Sequence, residues 1–240
     1  MKTVVKYRTV LLKLSGESLM GSLDYGLDPA MLQQYASDIK EAYLAGCRIG
    51  IVIGGGNIYR GMQGATTGID RARGDYMGMM ATLINSIALQ DTLEQMGVSV
   101  RLLSGLAVDP IAEKMSRERA KRYLDQNNVV IMAAGTGNPY FTTDTGATLR
   151  ALEIEADIFL KGTRVDGIYT ADPEKDPTAI KYDRIHCQEC YEKKLKIMDL
   201  TAFALCSDSK LPICVFDMNK KGNLYRIING EHVGTLVHYD

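Results

Sequence analysis

The chain has 240 residues, 46% of them hydrophobic and 24% charged, with a formal net charge of -1. That length buries the core of one large α/β domain or two small ones, and that composition excludes a mainly disordered chain. Lysine and arginine are spread along the chain, so no nucleic-acid partner is expected.

Short runs rich in Val, Ile and Leu alternate with longer amphipathic segments, the pattern of buried parallel strands joined by helices. In chain order it predicts a strand over Thr9 to Leu14, a helix over Pro29 to Leu44, a strand over Arg48 to Ile53 and a helix over Tyr76 to Met96. A strand over Val98 to Leu103, a helix over Arg117 to Gln126, a strand over Val129 to Ala133 and a helix over Asp144 to Glu153 follow. Strands over Ile158 to Lys161 and Ile213 to Phe216 flank a last helix over Leu200 to Lys210. The fold class is α/β. Asp28 and Pro29 read as an N-cap and first-turn proline, and Gly46 as the closing glycine of the same helix. The segment from Val165 to Pro177 carries turn residues and reads as a functional loop. Met77, Met79 and Met80 stand at helical spacing and read as core. One domain over residues 1–240 is expected, with Gly135 to Thr143 dividing an N-terminal lobe (about 1–134) from a C-terminal lobe (about 135–240).

No uninterrupted apolar stretch approaches the roughly 20 residues that cross a bilayer. Lys2, Lys6, Arg8 and Lys13 break up the apolar start, unlike the core of a signal peptide. A soluble, cytoplasmic protein with no membrane partner is expected. Five cysteines, an odd number, then read as reduced thiols. Cys187 and Cys190 form a CxxC, but a structural zinc site needs four ligands and no second pair stands at a suitable spacing. His186, His232 and His238 are isolated in sequence and read as structural or exposed.

Three glycine-bearing turns follow predicted strands: Leu14-Ser15-Gly16-Glu17, Gly54-Gly55-Gly56-Asn57 and Ala134-Gly135-Thr136-Gly137-Asn138. Ligands of open α/β sheets bind at that edge, where glycine lets backbone N–H groups approach phosphate oxygens. A dinucleotide fingerprint fails, because Gly54-x-Gly56 is followed by Asn57, Ile58 and Tyr59. A Walker A loop fails because the chain holds no Gly-Lys dipeptide. Lys13 is the one charged residue among Val10, Leu11, Leu12 and Leu14, one step from the strand end. From the residues alone it is either a solvated strand lysine or a phosphate ligand, and Arg60, four residues past the triple glycine, is equally open.

Lys13-Leu14-Ser15-Gly16-Glu17, Gly54-Gly55-Gly56-Asn57 with Arg60-Gly61, Gly74 to Met79, Gly135 to Asp144, Lys161 to Pro173, Met198-Asp199-Leu200 and Gly234-Thr235-Leu236 occur in this order. Together they resemble the motifs of the bacterial UMP kinase family, in the amino-acid-kinase superfamily, over nearly the whole chain. The resemblance implies a three-layer α/β/α sandwich with a mostly parallel sheet, the carbamate-kinase-like fold. It implies transfer of the γ-phosphate of ATP to UMP in pyrimidine nucleotide biosynthesis, with Mg²⁺ carried by ATP rather than held by the protein.

By the same resemblance Lys13, Leu14, Ser15, Gly16, Gly56 and Arg60 hold the ATP phosphates, and Thr163, Tyr169 and Asp172 line the adenosine side. Gly55, Asp75, Thr136, Gly137, Asn138, Pro139, Tyr140, Phe141, Thr142 and Thr143 correspond to the UMP site. Lys13 and Arg60 are the cationic clamp, and Asp199 orients Lys13. Read without the resemblance, Asp75 and Asp199 could be helix N-caps, Thr142 to Asp144 a helix start and Tyr169 a surface aromatic. A homohexamer, inhibition by UTP and, in many members, activation by GTP are further implications, with Gly21, Ser22, Leu23, Asp24, Tyr25 and Gly26 in a region linked to regulation. The alternatives are a sibling kinase with another acceptor, such as a carboxylate or carbamate, and a non-catalytic nucleotide or oxyanion binder on the same fold.

Overall fold

The computed structural model describes residues 5–59, 68–173, 175–195 and 197–239. Eleven strands and eight helices are described in them: β1 (Thr9–Leu14), α1 (Gly16–Leu19), α2 (Pro29–Leu44), β2 (Arg48–Ile53), α3 (Arg71–Gln95), β3 (Val100–Ser104), β4 (Glu113–Lys114), α4 (Arg117–Asp125), β5 (Val129–Ala133), α5 (Thr143–Glu153), β6 (Ile158–Thr163), β7 (Ile168–Tyr169), β8 (Lys181–Tyr182), β9 (Arg184–His186), α6 (Cys187–Glu192), α7 (Leu200–Asp208), β10 (Ile213–Asp217), α8 (Asn223–Ile228) and β11 (Thr235–His238).

Nine strands form one sheet in the order β4-β3-β5-β2-β1-β6-β10-β11-β9. Its members run parallel from β4 to β10, β11 pairs antiparallel with β10, and β9 lies parallel to β11. The sheet is mostly parallel because its strands are apolar on both faces: Val10, Leu11, Leu12 and Leu14 of β1 are all fully buried. One face packs against α2, α3 and α8 through Tyr35, Ile39, Leu83, Leu89 and Leu224. The other packs against α4, α5, α6 and α7 through Leu124, Ala147, Cys190 and Phe203. The three-layer expectation holds. The chain leaves β1 for β2 on one side and reaches β6 on the other, so the carboxyl end of β1 is the place where strand order reverses and a ligand crevice opens.

Helix starts follow cap chemistry. Asp28 accepts the Ala30 N–H at 2.8 Å ahead of Pro29, and Thr142 accepts the Thr145 N–H at 3.1 Å ahead of α5. Asp70 accepts the Arg73 N–H at 3.2 Å and starts α3 five residues before the expected Tyr76, so Asp75 lies inside the helix and is not its cap. The methionines of α3 divide. Met79 is buried, whereas Met77 and Met80 are 43% and 41% exposed, which corrects the core reading for both. They lie with Tyr76, Ile84 and Ile87 on the side of α3 turned away from the sheet, within about 100° of the helix circumference.

The Val165 to Pro177 segment is not all loop, since Ile168 and Tyr169 pair with Tyr182 and Lys181 in a small hairpin. His186 and His238, far apart in sequence, are cross-strand partners whose rings meet edge-on at 5.6 Å. Cys187 and Cys190 are buried free thiols at the start of α6, and burial pushes Cys190 up to about 12, far from a reactive thiolate.

Candidate active site

The three glycine turns converge at the carboxyl edge of the sheet. The first two touch: the Gly54 N–H donates to Leu14 O at 2.9 Å, and a Cβ on Gly16 would stand 2.5 Å from Gly54 O, so only glycine permits the approach. A buried pair of amides locks the second turn to α3. Asn85 donates to Gly54 O and to Asn57 Oδ1, both at 2.7 Å, and Asn57 donates to Gly26 O at 2.7 Å. A Cβ on Gly55 would lie 2.8 Å from Ala81 Cβ, which keeps α3 close against that turn.

Two cavities flank the reversal point. The first, about 190 Å³, is lined by Gly55, Gly56, Tyr59, Gly74, Asp75, Gly78, Met79, Thr82, Gly135, Thr136, Phe141, Thr142 and Thr143. The second, about 660 Å³, is lined by Lys161, Thr163, Tyr169, Asp172 and Pro173 on one side and Lys193, Lys194, Leu195 and Ile197 on the other. That volume lies in the range of about 300–1,000 Å³ that holds a nucleoside-sized ligand.

An ion cluster adjoins both, through Lys161, which lines the second cavity, and Asp144, the neighbour of Thr143 in the first. Lys13 on β1 and Lys161 on β6 are register partners of a parallel pair, so both side chains leave the same face of the sheet. Their ammonium groups meet the carboxylate of Asp144, Lys13 at 3.0 Å from Oδ1 and Lys161 at 2.6 Å from Oδ2. Lys161 also donates to Ile197 O at 2.5 Å. Burial alone would raise Asp144, but Lys13 and Lys161 together outweigh it and hold its carboxyl below the ordinary carboxylate value. Burial drives Lys161 below the ordinary lysine value, with the Asp144 charge opposing the shift. Asp144 is the second residue of α5, whose N-terminal N–H groups face the same gap and favour anions.

The expected partnership of Lys13 with Asp199 is not the one found. Asp199 caps α7 by accepting the Ala202 N–H at 3.1 Å, and it accepts the hydroxyls of Thr142 and, at 2.9 Å, Thr145. It therefore braces the first turn of α5, which carries Asp144 to the lysines. Lys161 and Asp144 are the functional candidates that residue-by-residue reading passed over. The signal was faint: one Lys near the end of each of two strands, and one Asp at a helix start.

Other expected positions separate into those the fold gathers and those it does not. Thr163, Tyr169 and Asp172 share the larger cavity. Gly55, Asp75, Thr136, Phe141, Thr142 and Thr143 share the smaller, and Gly56, expected with the donor phosphates, lines it beside Gly55. Gly137, Asn138, Pro139 and Tyr140 are not among its lining residues, although the Tyr140 N–H donates to Asp75 Oδ2 at 2.8 Å. Asp75 also holds Arg71 at 3.1 Å. Leu14 is fully buried, so only its backbone faces the edge, where Ser15 and Gly16 follow. Gly21, Ser22, Leu23, Asp24 and Tyr25 form an exposed loop ending at Gly26, whose N–H donates to Asn57 O at 2.9 Å. Arg60 lies outside the described residues. Among the described residues, no group of three or more His, Cys, Asp or Glu side chains is placed to hold a metal ion.

The amino acid kinase family model matches residues 8–217. The chain belongs to the amino acid kinase family. Within that family it is 57% identical over 235 residues to the uridylate kinase of Parabacteroides distasonis, covering 98% of this chain and 100% of the relative. It is 59% identical over 231 residues to that of Porphyromonas gingivalis, covering 96% and 97%. Among solved structures, the UMP kinase from Bacillus anthracis superposes with a TM-score of 0.95 at 36% identity, covering 98% of this chain and 97% of the other. The uridylate kinase from Archaeoglobus fulgidus superposes at 0.75 with 29% identity, covering 95% and 99%.

Proposed function

We propose that this member of the amino acid kinase family is a UMP kinase, transferring the γ-phosphate of ATP to the phosphate of UMP to give UDP and ADP. The observation that carries this reading is the Lys13–Asp144–Lys161 cluster, whose Lys161 lines the larger cavity and whose Asp144 directly follows Thr143 of the smaller one. ATP occupies the larger cavity on the C-terminal lobe, with Tyr169 and Thr163 beside the adenosine and the backbone of Leu14, Ser15 and Gly16 at its phosphates. UMP occupies the smaller one on the N-terminal lobe, with Asp75 accepting from the ribose and the Thr136 to Thr143 loop around the nucleotide. The uridylate kinase names of the relatives support this acceptor.

A UMP phosphate oxygen is already ionised at neutral pH, so no strong general base is required. It forms a bond to the γ-phosphorus as the bond from that phosphorus to the β,γ-bridging oxygen breaks, and ADP leaves with that electron pair. Two polyanions must meet in line, and charge on the transferring group must be stabilised. Lys13 and Lys161 supply two positive charges at that point, and the glycine turns and the α5 N-terminus supply N–H donors; Arg60 belongs to the clamp by the family resemblance alone. Asp144 keeps the lysines from repelling each other before the nucleotides arrive, and Asp199 steadies Asp144 through α5. Mg²⁺ enters as part of the ATP substrate and neutralises its phosphates.

Self-association, as a homohexamer, uses the outer face of α3, where Tyr76, Met77, Met80, Ile84 and Ile87 leave an apolar stripe that a second copy covers. By the family resemblance UTP is the inhibitor and GTP, as in many members, an activator, with the Gly21 to Gly26 loop joined to the site through Asn57. The protein works in the cytoplasm, in pyrimidine nucleotide synthesis; among the described residues no helix is long and apolar enough to cross a membrane.

The deciding experiment is ADP formation from Mg-ATP with UMP, CMP, N-acetylglutamate or carbamate in separate reactions, with Lys13→Met as the blank. UMP-dependent turnover absent from the blank establishes the reading. Turnover on another acceptor reassigns the smaller cavity, and nucleotide binding with no turnover on any acceptor leaves a binding protein.

A further inference from the structure

The turn after β5 is held from both layers of the sandwich. Ala134 and Gly135 have φ of 60° and 53°, two successive left-handed residues, and in the first the alanine Cβ crowds the following carbonyl. From α3, Thr82 Oγ1 accepts the Ala134 N–H at 2.8 Å. Its own hydrogen goes to Met79 O at 2.7 Å, so the hydroxyl can serve Ala134 only as an acceptor. From α5, on the opposite face, Arg150 Nη2 donates to Gly135 O at 2.8 Å, while Nη1 pairs with Glu153 at 2.6 Å. Thr82 and Arg150 are 7% and 5% exposed, and the Gly137 N–H closes the turn on Ala134 O at 2.9 Å. The helix of Arg150 comes this near because of Gly146, where a Cβ would stand 3.0 Å from Gly135 Cα.

The turn so held presents Gly135 and Thr136 to the smaller cavity. We infer that Thr82 and Arg150 are positioning residues for the acceptor nucleotide, clamping the left-handed Ala134–Gly135 turn from opposite layers so that its backbone is fixed before UMP binds. The inference rests on the assignment of UMP to that cavity. Without either clamp the turn relaxes toward ordinary backbone, and its ordering must then accompany UMP binding, which weakens that step. ATP binding, across the sheet edge, is untouched.

The test is steady-state kinetics on Thr82→Val, Thr82→Ser, Arg150→Met and Asp75→Ala, each checked by thermal unfolding. Valine keeps the shape of threonine and removes the acceptor, so the KM for UMP should rise about tenfold, the loss expected when a buried donor goes unpaired. The KM for ATP should stay within about twofold. Serine should restore the UMP value, and Arg150→Met, acting from the other layer, should raise it again even if the valine variant does not fold. A raised UMP KM in Asp75→Ala with none in the two clamp variants overturns the positioning role and keeps the cavity assignment. No change in all three overturns both, and an equal rise for ATP and UMP overturns the positioning role as a general loosening.

Discussion

Lys13 and Lys161 are direct partners across the parallel pair of β1 and β6, and their ammonium groups end on the two oxygens of one carboxylate. Parallel register alone sets this geometry, because opposed residues of neighbouring strands leave the same face. Two lysines side by side are unfavourable until an anion lies between them, which makes the pair a site for phosphate once Asp144 is shared with a ligand. Lys161→Met and Lys13→Met should each lower kcat by orders of magnitude with the fold intact. The double variant should be little worse than either single one, because residues that act as a unit are not additive. Near-normal turnover in either single variant would sink the clamp.

Asp144→Asn tests the centre of the cluster and its pH dependence. Asp144 lies below its ordinary value of 3.8 because the pull of the two lysines exceeds the opposing effect of burial. Its contribution to stability is therefore fully present above that value and is lost as pH falls through the lower folded value. The asparagine variant should be less stable at neutral pH by about 3–5 kcal/mol, the cost of unpairing a buried charge. The difference from the parent should vanish in acid. Lys161, already below the ordinary 10.5 through burial, should fall further without Asp144, so the alkaline limb of kcat should move to lower pH. Denaturant melts across pH and a pH–rate profile would show both, and parallel curves for the two proteins would refute the assignment.

Asp75 lines the smaller cavity while its Oδ2 accepts both the Tyr140 N–H and the Arg71 Nε–H; Oδ1 accepts the Arg71 Nε–H alone and keeps a lone pair for a ligand. Asp75→Ala should raise the KM for UMP by about tenfold or more and leave that for ATP within about twofold. Equal losses for both substrates would mean that the residue supports the fold rather than the acceptor.

The exposed stripe on α3 backs directly onto the residues that grip the glycine turns, since Ile84 and Ile87 flank Asn85 on the same helix. Ile84→Glu with Ile87→Glu should reduce the mass seen by sedimentation and should lower activity, because α3 is then free to shift against both turns. An unchanged mass would show that another surface carries self-association.

Much of the architecture was legible in the residues. The bounds of β1, β2, β5 and α2 follow from apolar runs, Asp28-Pro29 and Gly46, because those signals act within a few residues. The start of α3 was missed because Asp70 caps a first turn holding two arginines and Gly74, with no apolar period to read. Met77 and Met80 were placed in the core because spacing shows that a helix has an apolar side and not which apolar residues face the sheet. The two-residue strands β4, β7 and β8 have no period of their own and exist only through their partners.

The sequence by itself determined the α/β class, the glycine turns at strand ends and the family motifs, since backbone preference and hydrophobic period are local properties. Only the tertiary structure decided that Asp144 rather than Asp199 pairs with Lys13, that Lys161 completes the cluster, and that Thr82 and Arg150 grip one turn from opposite layers. Those relationships join residues far apart in the chain. They come into being when parallel strands fall into register and two helical layers close on the same sheet edge.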